Sequence, residues 1–491
     1  MSIRNSLLRA YFSRRMRTID YFRRHPIEVQ EEMFHRLMAE GVWTRFGRDH
    51  AVTADISPES FAQRVEVQDY DRFKPYIQRM LDGEENVAAP GRVTLFARSS
   101  GTTSDRSKYI PITRKSVWQN HTLGMRDVAT VYIMAHPNTE VFKGKTLTLG
   151  GSCYEENGAL IGDLSAVLIK QAAFWSGWFR APKIETALLP DFQQKIDAIC
   201  RECVSQNITS FAGVPSWNLL LMRRVLEYTG KKNLLEVWPR LEFFAHGGIS
   251  FSPYRKSFAR LIPSDRMAYM ETYNASEGFF ALADDFSRDD MLLMLDYGTY
   301  YEFRKGNEIV PLEGVRCGEV YAMIITSING LWRYEIGDTV EFTSTNPYRI
   351  RFAGRTRQFI NAFGEEVIVD NAEKALEVAC EATGAVVEEY SVAPCFMGLN
   401  TRGGHEWAVE FSEDPDSLEH FAEVLDEALR RINSDYDAKR LSAIDRLRVD
   451  VLPQGTVLKW LQVRGKNKLP RMQNDRTVIE QLLQMAQSKQ D

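Results

Sequence analysis

The sequence predicts a layered α/β fold, with a large N-terminal part of several subdomains followed by a smaller α+β C-terminal unit. Three observations carry that expectation. Between about residues 90 and 350, short strand-like runs such as 145–149 and 319–325 alternate with helical stretches at 190–206 and 216–229, the pattern of sheets covered by helices. The chain has 491 residues, more than one ordinary core holds, and corresponds to roughly three domain-sized units. After Gly354-Arg355 a new unit begins, with a small hairpin over 359–367, a helix from about Asp370 to 383, then strands and a final helix. The expected boundaries are therefore 1–353 and 354–491.

Residues 1 to about 85 read as helical and charged. The arginines near the start, Arg14, Arg15 and Arg17, break up the apolar residues Leu7, Leu8, Ala10, Tyr11 and Phe12, so no signal-peptide core forms there. They are read as a solvated helix face. No run approaches the ~20 apolar residues of a membrane span, and a cytoplasmic protein is expected. Hydrophobic residues at 44% and charged residues at 26% are globular values, which set aside disordered and fibrous classes. A net charge of -5 gives no basic footprint for nucleic acid. Cys200-Arg201-Glu202-Cys203 has the spacing of a redox or zinc pair, but Ile196, Ile199 and Val204 recur beside it at helical spacing. The two thiols are read as helix residues near the core.

The residues that carry chemistry come in three groups. The first is Ser99-Ser100-Gly101-Thr102-Thr103-Ser104-Asp105-Arg106-Ser107-Lys108. Hydroxyls, a flexible glycine and a terminal ammonium together suit the phosphates of a nucleotide. Extended flanks at 93–97 and 109–112 make this a strand-to-strand loop. It is not a Walker A loop, which needs glycine directly before Lys-Ser/Thr and a helix after it. A polar hairpin turn is the plainer alternative. The second group is Met270-Glu271-Thr272-Tyr273-Asn274-Ala275-Ser276-Glu277-Gly278, which supplies an aromatic ring for a base, a hydroxyl for a phosphate and a carboxylate for a hard divalent cation. The third is Trp332-Arg333-Tyr334-Glu335-Ile336-Gly337-Asp338, followed by Gly354-Arg355. Asp338 at a strand edge can accept both ribose hydroxyls, and Arg355 can reach ribose or phosphate. Taken singly, Tyr273 reads as core packing, Glu277 as a surface charge and Gly337-Asp338 as a hairpin turn.

Together, in this order and spacing, the three groups resemble the adenylate-forming superfamily, and more closely its Gretchen Hagen branch, the acyl-acid amido synthetases. Further stretches are similar to landmarks of that branch: Val29-Gln30, Thr44-Arg45-Phe46-Gly47, Gly213-Val214-Pro215-Ser216-Trp217, His246-Gly247-Gly248, Phe363-Gly364-Glu365-Glu366 and Lys468-Leu469-Pro470-Arg471. The resemblance covers nearly the whole chain. It implies a large adenylating domain with a smaller mobile C-terminal domain, hinged just after Gly354-Arg355 near Arg357.

The resemblance further implies ATP and Mg²⁺ as cofactors and two half-reactions. A carboxylic acid becomes an acyl-adenylate with release of pyrophosphate, and an amine, in this branch an amino acid, then displaces AMP. It assigns Ser99, Ser100, Gly101, Thr102, Thr103 and Lys108 to the ATP phosphates, with Lys108 catalytic. Tyr273 goes to adenine, Ser276 to the α-phosphate, Glu277 to Mg²⁺, and Asp338 with Arg355 to ribose. Val214, Trp217, His246, Gly247 and Gly248 fall where the acid is held, the glycines allowing close approach of a flat ligand. Lys468 is the second catalytic cation, with Lys466 a competitor. His246 follows Phe243-Phe244 and reads as a packed residue, not a base. The run Phe174-Trp175-Ser176-Gly177-Trp178-Phe179 reads as core or subdomain packing. Acyl-CoA formation by the same adenylation, or a non-catalytic regulator, are the rival readings. The acid, the amine and the oligomeric state are left open.

Overall fold

The computed structural model describes residues 3–99, 108–248, 251, 254–355, 359–360, 362, 365, 367–395, 403–433, 436–437, 440, 444–473 and 475–487. They form two compact units, one of 3–99, 108–248 and 260–352, the other of the residues from 353 onward together with Phe251 and 254–259.

Five helices open the first unit: α1 (Ile3–Arg24), α2 (Pro26–Gly41), α3 (Arg45–Asp49), α4 (Pro58–Arg64) and α5 (Tyr70–Leu81). Thr44, Ser57 and Asp69 cap the last three by accepting from the backbone N–H of Gly47, Ser60 and Arg72, donors that a helix start leaves unpaired. The expected solvated arginine face of α1 holds for Arg14 and Arg17 but fails at Arg15. Arg9 donates to the carbonyls of Ile133 and Met134 at 2.8 Å each, and Arg15 is buried between Asp127 and Asp296. These cations close the helix onto the body of the unit; only neighbours such as Arg14 and Arg17 face water.

Strands β1 (Leu95–Ser99) and β2 (Lys108–Ile112) pair antiparallel with Ser99 opposite Lys108. They belong to a four-stranded sheet with β4 (Cys153–Glu156) and β5 (Ala159–Gly162). A twelve-stranded sheet forms the rest of the frame. Its parallel part runs β6 (Arg180–Ala181), β3 (Lys145–Thr148), β7 (Ile208–Gly213), β8 (Phe243–Gly247) and β9 (Ala268–Ala275). The sheet continues antiparallel through β10 (Gly278–Leu282), β11 (Met291–Leu293), β16 (Tyr348–Arg355), β15 (Tyr334–Thr345), β14 (Val320–Ser327), β12 (Thr299–Lys305) and β13 (Glu308–Pro311). Helices Phe192–Cys203 and Pro215–Thr229 fall where the sequence predicts them. Cys200 and Cys203 are buried on the first, and burial pushes their thiols up to about 11 and about 12.

Several of the landmark residues are structural. Gln30 donates to the carbonyls of Leu295 and Thr299 and accepts from Tyr301 N–H. A Cβ on Gly41 would sit 2.3 Å from the Trp332 ring, which stacks on Phe46 with centroids 5.5 Å apart. Arg333, at φ 41°, grips Glu302 with two hydrogen bonds and also donates to the carbonyls of Ala62 and Val65. Both charged groups are buried, so removing one would strand the other at a cost of about 3–5 kcal/mol.

In the second unit, β17 (Phe359–Ile360) and β18 (Val367–Ile368) make the small hairpin, and helix Val369–Thr383 follows directly. That helix and Leu418–Ile432 accompany a sheet of β19 (Val386–Cys395), β20 (Gly404–Glu413) and β21 (Arg448–Leu452) around Tyr390, Trp407, Phe421 and Leu425. Among the described residues no helix is long and apolar enough to cross a membrane.

Between β2 and helix Leu123–Ala135 the chain makes a π-helical turn over Val117–Thr122. The wider turn brings Asn120 and His121 inward. Asn120 accepts from Phe279 N–H and donates to the Tyr297 carbonyl, and His121 Nδ1 lies 3.2 Å from Asn274 Oδ1. His121 is fully buried, and desolvation lowers its pKa from 6.5 to about 4. The unfolded chain therefore binds a proton between pH 6.5 and 4 that the folded one refuses, so stability falls as pH drops through that window. At one pKa unit per 1.36 kcal/mol the loss approaches about 3 kcal/mol at pH 4. Urea unfolding at pH 7 and pH 4.5 should show a smaller acid loss for His121→Gln than for the parent. Equal losses would contradict the assignment.

Candidate active site

The site is built at the carboxyl ends of the parallel strands. Register places Gly213 of β7 opposite His246 of β8, and His246 opposite Glu271 of β9, so the acid-binding candidates and the second motif lie in one row. Open α/β sheets bind ligands at this end, where strands run into loops. Gly213, at φ 134°, lets β7 turn into Val214, and Pro215 starts the next helix with its φ preset. His246 is buried, and its backbone carbonyl takes the Thr272 hydroxyl at 3.0 Å. A Cβ on Gly247 would meet the Thr272 carbonyl at 2.2 Å, so the missing side chain makes room for the neighbouring strand. Gly248 follows at φ 82° and is exposed, and Val214 and Trp217 are half-buried.

The second and third motifs meet. Tyr273 donates from its hydroxyl to Asp338 Oδ2 at 2.7 Å, although β9 and β15 are four steps apart in the sheet. At about 4.8 Å per step a flat sheet would hold them roughly 19 Å apart, so the sheet curls to close this contact. Asp338 is not in a hairpin turn. Ile324 pairs Glu335 and Ala322 pairs Thr339, so β15 bulges over 336–338, with Gly337 at φ 85°. The bulge turns Asp338 inward, where it is 3% exposed. Tyr273 is 7% exposed and packs edge-on against Phe280 and Phe352, with centroids 5.1 and 5.7 Å away. The ring thus packs as core, while the hydroxyl engages Asp338.

Ser276 and Glu277 sit half-buried on the turn between β9 and β10. The Glu277 carbonyl accepts from Asn329 Nδ2 at 3.0 Å, and Asn329 Oδ1 accepts from Thr113 N–H, directly after β2. Asn329, 1% exposed, thus ties the turn bearing Glu277 to the strand that begins at Lys108. Sequence reasoning missed it, since Asn329-Gly330 reads as an ordinary turn. Lys108 Nζ lies 5.4 Å from the centre of the Tyr70 ring, whose hydroxyl accepts from Tyr109 N–H. Ser100, Gly101, Thr102 and Thr103 lie outside the described residues, as do Arg357 and the side chains of Ser99 and Arg355.

Lys468 belongs to the second unit and is exposed on a short loop. The loop is anchored behind it: Ser391 donates to the Pro470 carbonyl, and Val392 N–H to that of Arg471. The Arg471 guanidinium is buried 4.6 Å from the centre of the Tyr390 ring and donates to Glu389 and to the Tyr254 hydroxyl, both at 3.1 Å. Lys466 lies over the Trp460 ring at 5.9 Å. Tyr254 and Glu389 are further residues that no motif marked.

The first unit offers a buried carboxylate that can accept from hydroxyls, a half-buried carboxylate suited to a cation and the ammonium of Lys108. Residues 15–267 match the GH3 family N-terminal domain, 292–355 its central domain and 370–477 its C-terminal domain. The jasmonoyl–L-amino acid synthetase JAR4 of Nicotiana attenuata is 22% identical over 522 residues, covering 88% of each chain. The probable indole-3-acetic acid-amido synthetase GH3.1 of Arabidopsis thaliana is 22% identical over 558 residues, covering 95% of this chain and 92% of its own. Among solved structures, the GH3.15 acyl acid amido synthetase superposes with a TM-score of 0.80 over 98% of this chain and 96% of its own, at 16% identity. The chain belongs to the GH3 family.

Proposed function

We propose that this protein is an ATP-dependent acyl-acid amido synthetase, joining a small carboxylic acid to an amino acid in the cytoplasm. The observation that carries the reading is the closure of the second motif on the third, Tyr273 on Asp338, in a chain matched along its length by one family. A carboxylate is a poor acyl donor. Its attack on the α-phosphate of ATP expels pyrophosphate and makes AMP the leaving group for the amine. No protein nucleophile is required. The protein's work is to position the reactants and neutralise charge at phosphorus.

In this reading Asp338, oriented by the Tyr273 hydroxyl, accepts from ribose together with Arg355. Ser276, Ser99 and the loop from Ser100 to Thr103 hold phosphates, and Lys108 stabilises their charge. Glu277 fits Mg²⁺, a hard cation that takes one or two carboxylates and completes its shell with phosphate oxygens and water. Mg²⁺ would supply charge neutralisation at the phosphates. Val214, Trp217, His246 and Gly248 border the acid. Residues 354–491 act as the mobile C-terminal domain, presenting Lys468, with Lys466 as the alternative, to the adenylation step.

Asp338→Ala should raise the KM for ATP about 10- to 100-fold, the worth of hydrogen bonds to a charged acceptor, with a smaller change in kcat. Tyr273→Phe should shift the same constant in the same direction by less. Glu277→Ala should raise the Mg²⁺ concentration needed for half-maximal turnover. Parental constants at limiting ATP and Mg²⁺ would remove these roles.

The acceptor is tested by competition. With acid and ATP present, equal concentrations of coenzyme A and mixed amino acids should give an N-acyl amino acid on mass spectrometry. A thioester as the dominant product, with no amide, would decide for the ligase reading.

A further inference from the structure

At the far edge of the large sheet, beside the two-residue strand β6, lies a cavity of about 230 Å³. Strands β3, β6 and β7 are parallel, and Lys145 and Arg180 stand at the start of β3 and β6, with Gln206 just before β7. The candidate active site is at the other end of β7, six residues or about 20 Å away. This cavity is a separate place.

Its chemistry is unbalanced. Lys145, Arg180 and Lys183 all line it, and their side chains make no ion pair or hydrogen bond with any described residue. Arg180 Nε is buried with no acceptor, and desolvation lowers the pKa of the guanidinium. Glu202, also on the wall, spends an oxygen on the Lys183 backbone N–H at 2.7 Å. A second buried atom is unsatisfied. Gln206 donates Nε2 to the Glu202 carbonyl at 3.0 Å, which fixes the orientation of its amide and leaves Oε1 buried without a donor. The remaining wall carries Ser176 and a second carboxylate, Glu185, which leaves three cations against two anions, and an apolar side of Ala173, Pro182 and Ile184. Here the reading of the aromatic run as packing is corrected: Trp178 is 69% and Phe179 46% exposed. The strand they precede is only two residues long and ends the sheet.

Unpaired cations ask for an oxyanion, a buried amide oxygen asks for an N–H donor, and the apolar wall asks for a hydrocarbon body. We propose that this cavity is a second binding site, for an N-acyl amino acid: its carboxylate on Arg180, Lys145 and Lys183, its amide N–H on Gln206, and its acyl group along Pro182 and Ile184. That is the class of compound the proposed reaction makes, and naming it as a product rests on that reading; the binding itself does not.

The test is calorimetric titration of the full chain, without ATP, using N-benzoylglycine, benzoate and inorganic phosphate as probes. N-benzoylglycine should show a binding event that Arg180→Gln weakens by at least about tenfold, the worth of a charge-assisted bidentate contact. Gln206→Leu should bring N-benzoylglycine down to the level of benzoate. Arg180→Gln should leave pyrophosphate exchange unchanged and the unliganded melting temperature equal or higher, because it removes an unsatisfied buried donor; a lowered melting temperature would mark Arg180 as a structural residue and overturn the site. Binding that Arg180→Gln leaves intact, or phosphate binding as tightly as N-benzoylglycine, would also overturn it. These outcomes are read without turnover, so they stand apart from any failure to form amides.

Discussion

The hydrogen bond from Tyr273 to Asp338 is the contact on which the candidate site depends. It joins strands that the ladder alone would keep far apart, and both partners are buried. A buried carboxylate needs partners to repay its desolvation. Tyr273 supplies one, and in doing so fixes the direction of the group read as the ribose acceptor. The bulge at Gly337 provides the backbone for this, since a regular strand would carry Asp338 at another angle.

Around that contact the motifs divide into parts that build and parts that act. In the third motif, Trp332 packs against Gly41 and Phe46, and Arg333 clamps Glu302 and the end of α4, while Gly337-Asp338 is the part proposed to meet the nucleotide. The same division holds in the second motif. The Tyr273 ring is core and its hydroxyl bonds Asp338, while the Glu277 backbone is held by Asn329. Asn329 also holds Thr113, so the strand carrying Lys108 and the turn carrying Glu277 share one buried amide. Such sharing keeps a cation and a carboxylate in register with little dependence on the loop between them.

Much of this was legible in the sequence because it is local. Extended flanks around the Ser/Thr loop predicted paired strands, and Ser99 does stand opposite Lys108. Helical spacing placed Cys200 and Cys203 in the core. What the sequence hid depends on partners distant in the chain. Arg9 and Arg15 look like solvent residues until Ile133, Met134 and Asp127 are brought beside them. Tyr254 lies more than a hundred residues from Glu389 and Arg471, and no periodicity reports such a pairing. Trp178 and Phe179 read as core because large aromatics usually are, whereas beside a short edge strand both are exposed.

The central claim is that a carboxylate oxygen becomes bonded to the α-phosphorus of ATP before the amide forms. Turnover with an acid labelled with ¹⁸O in its carboxylate tests this most directly, by mass spectrometry of the nucleotide product. Attack of the amine at the acyl carbon leaves the bridging oxygen on phosphorus, so AMP should carry one ¹⁸O. Unlabelled AMP, or ADP with the label in inorganic phosphate, would contradict the account.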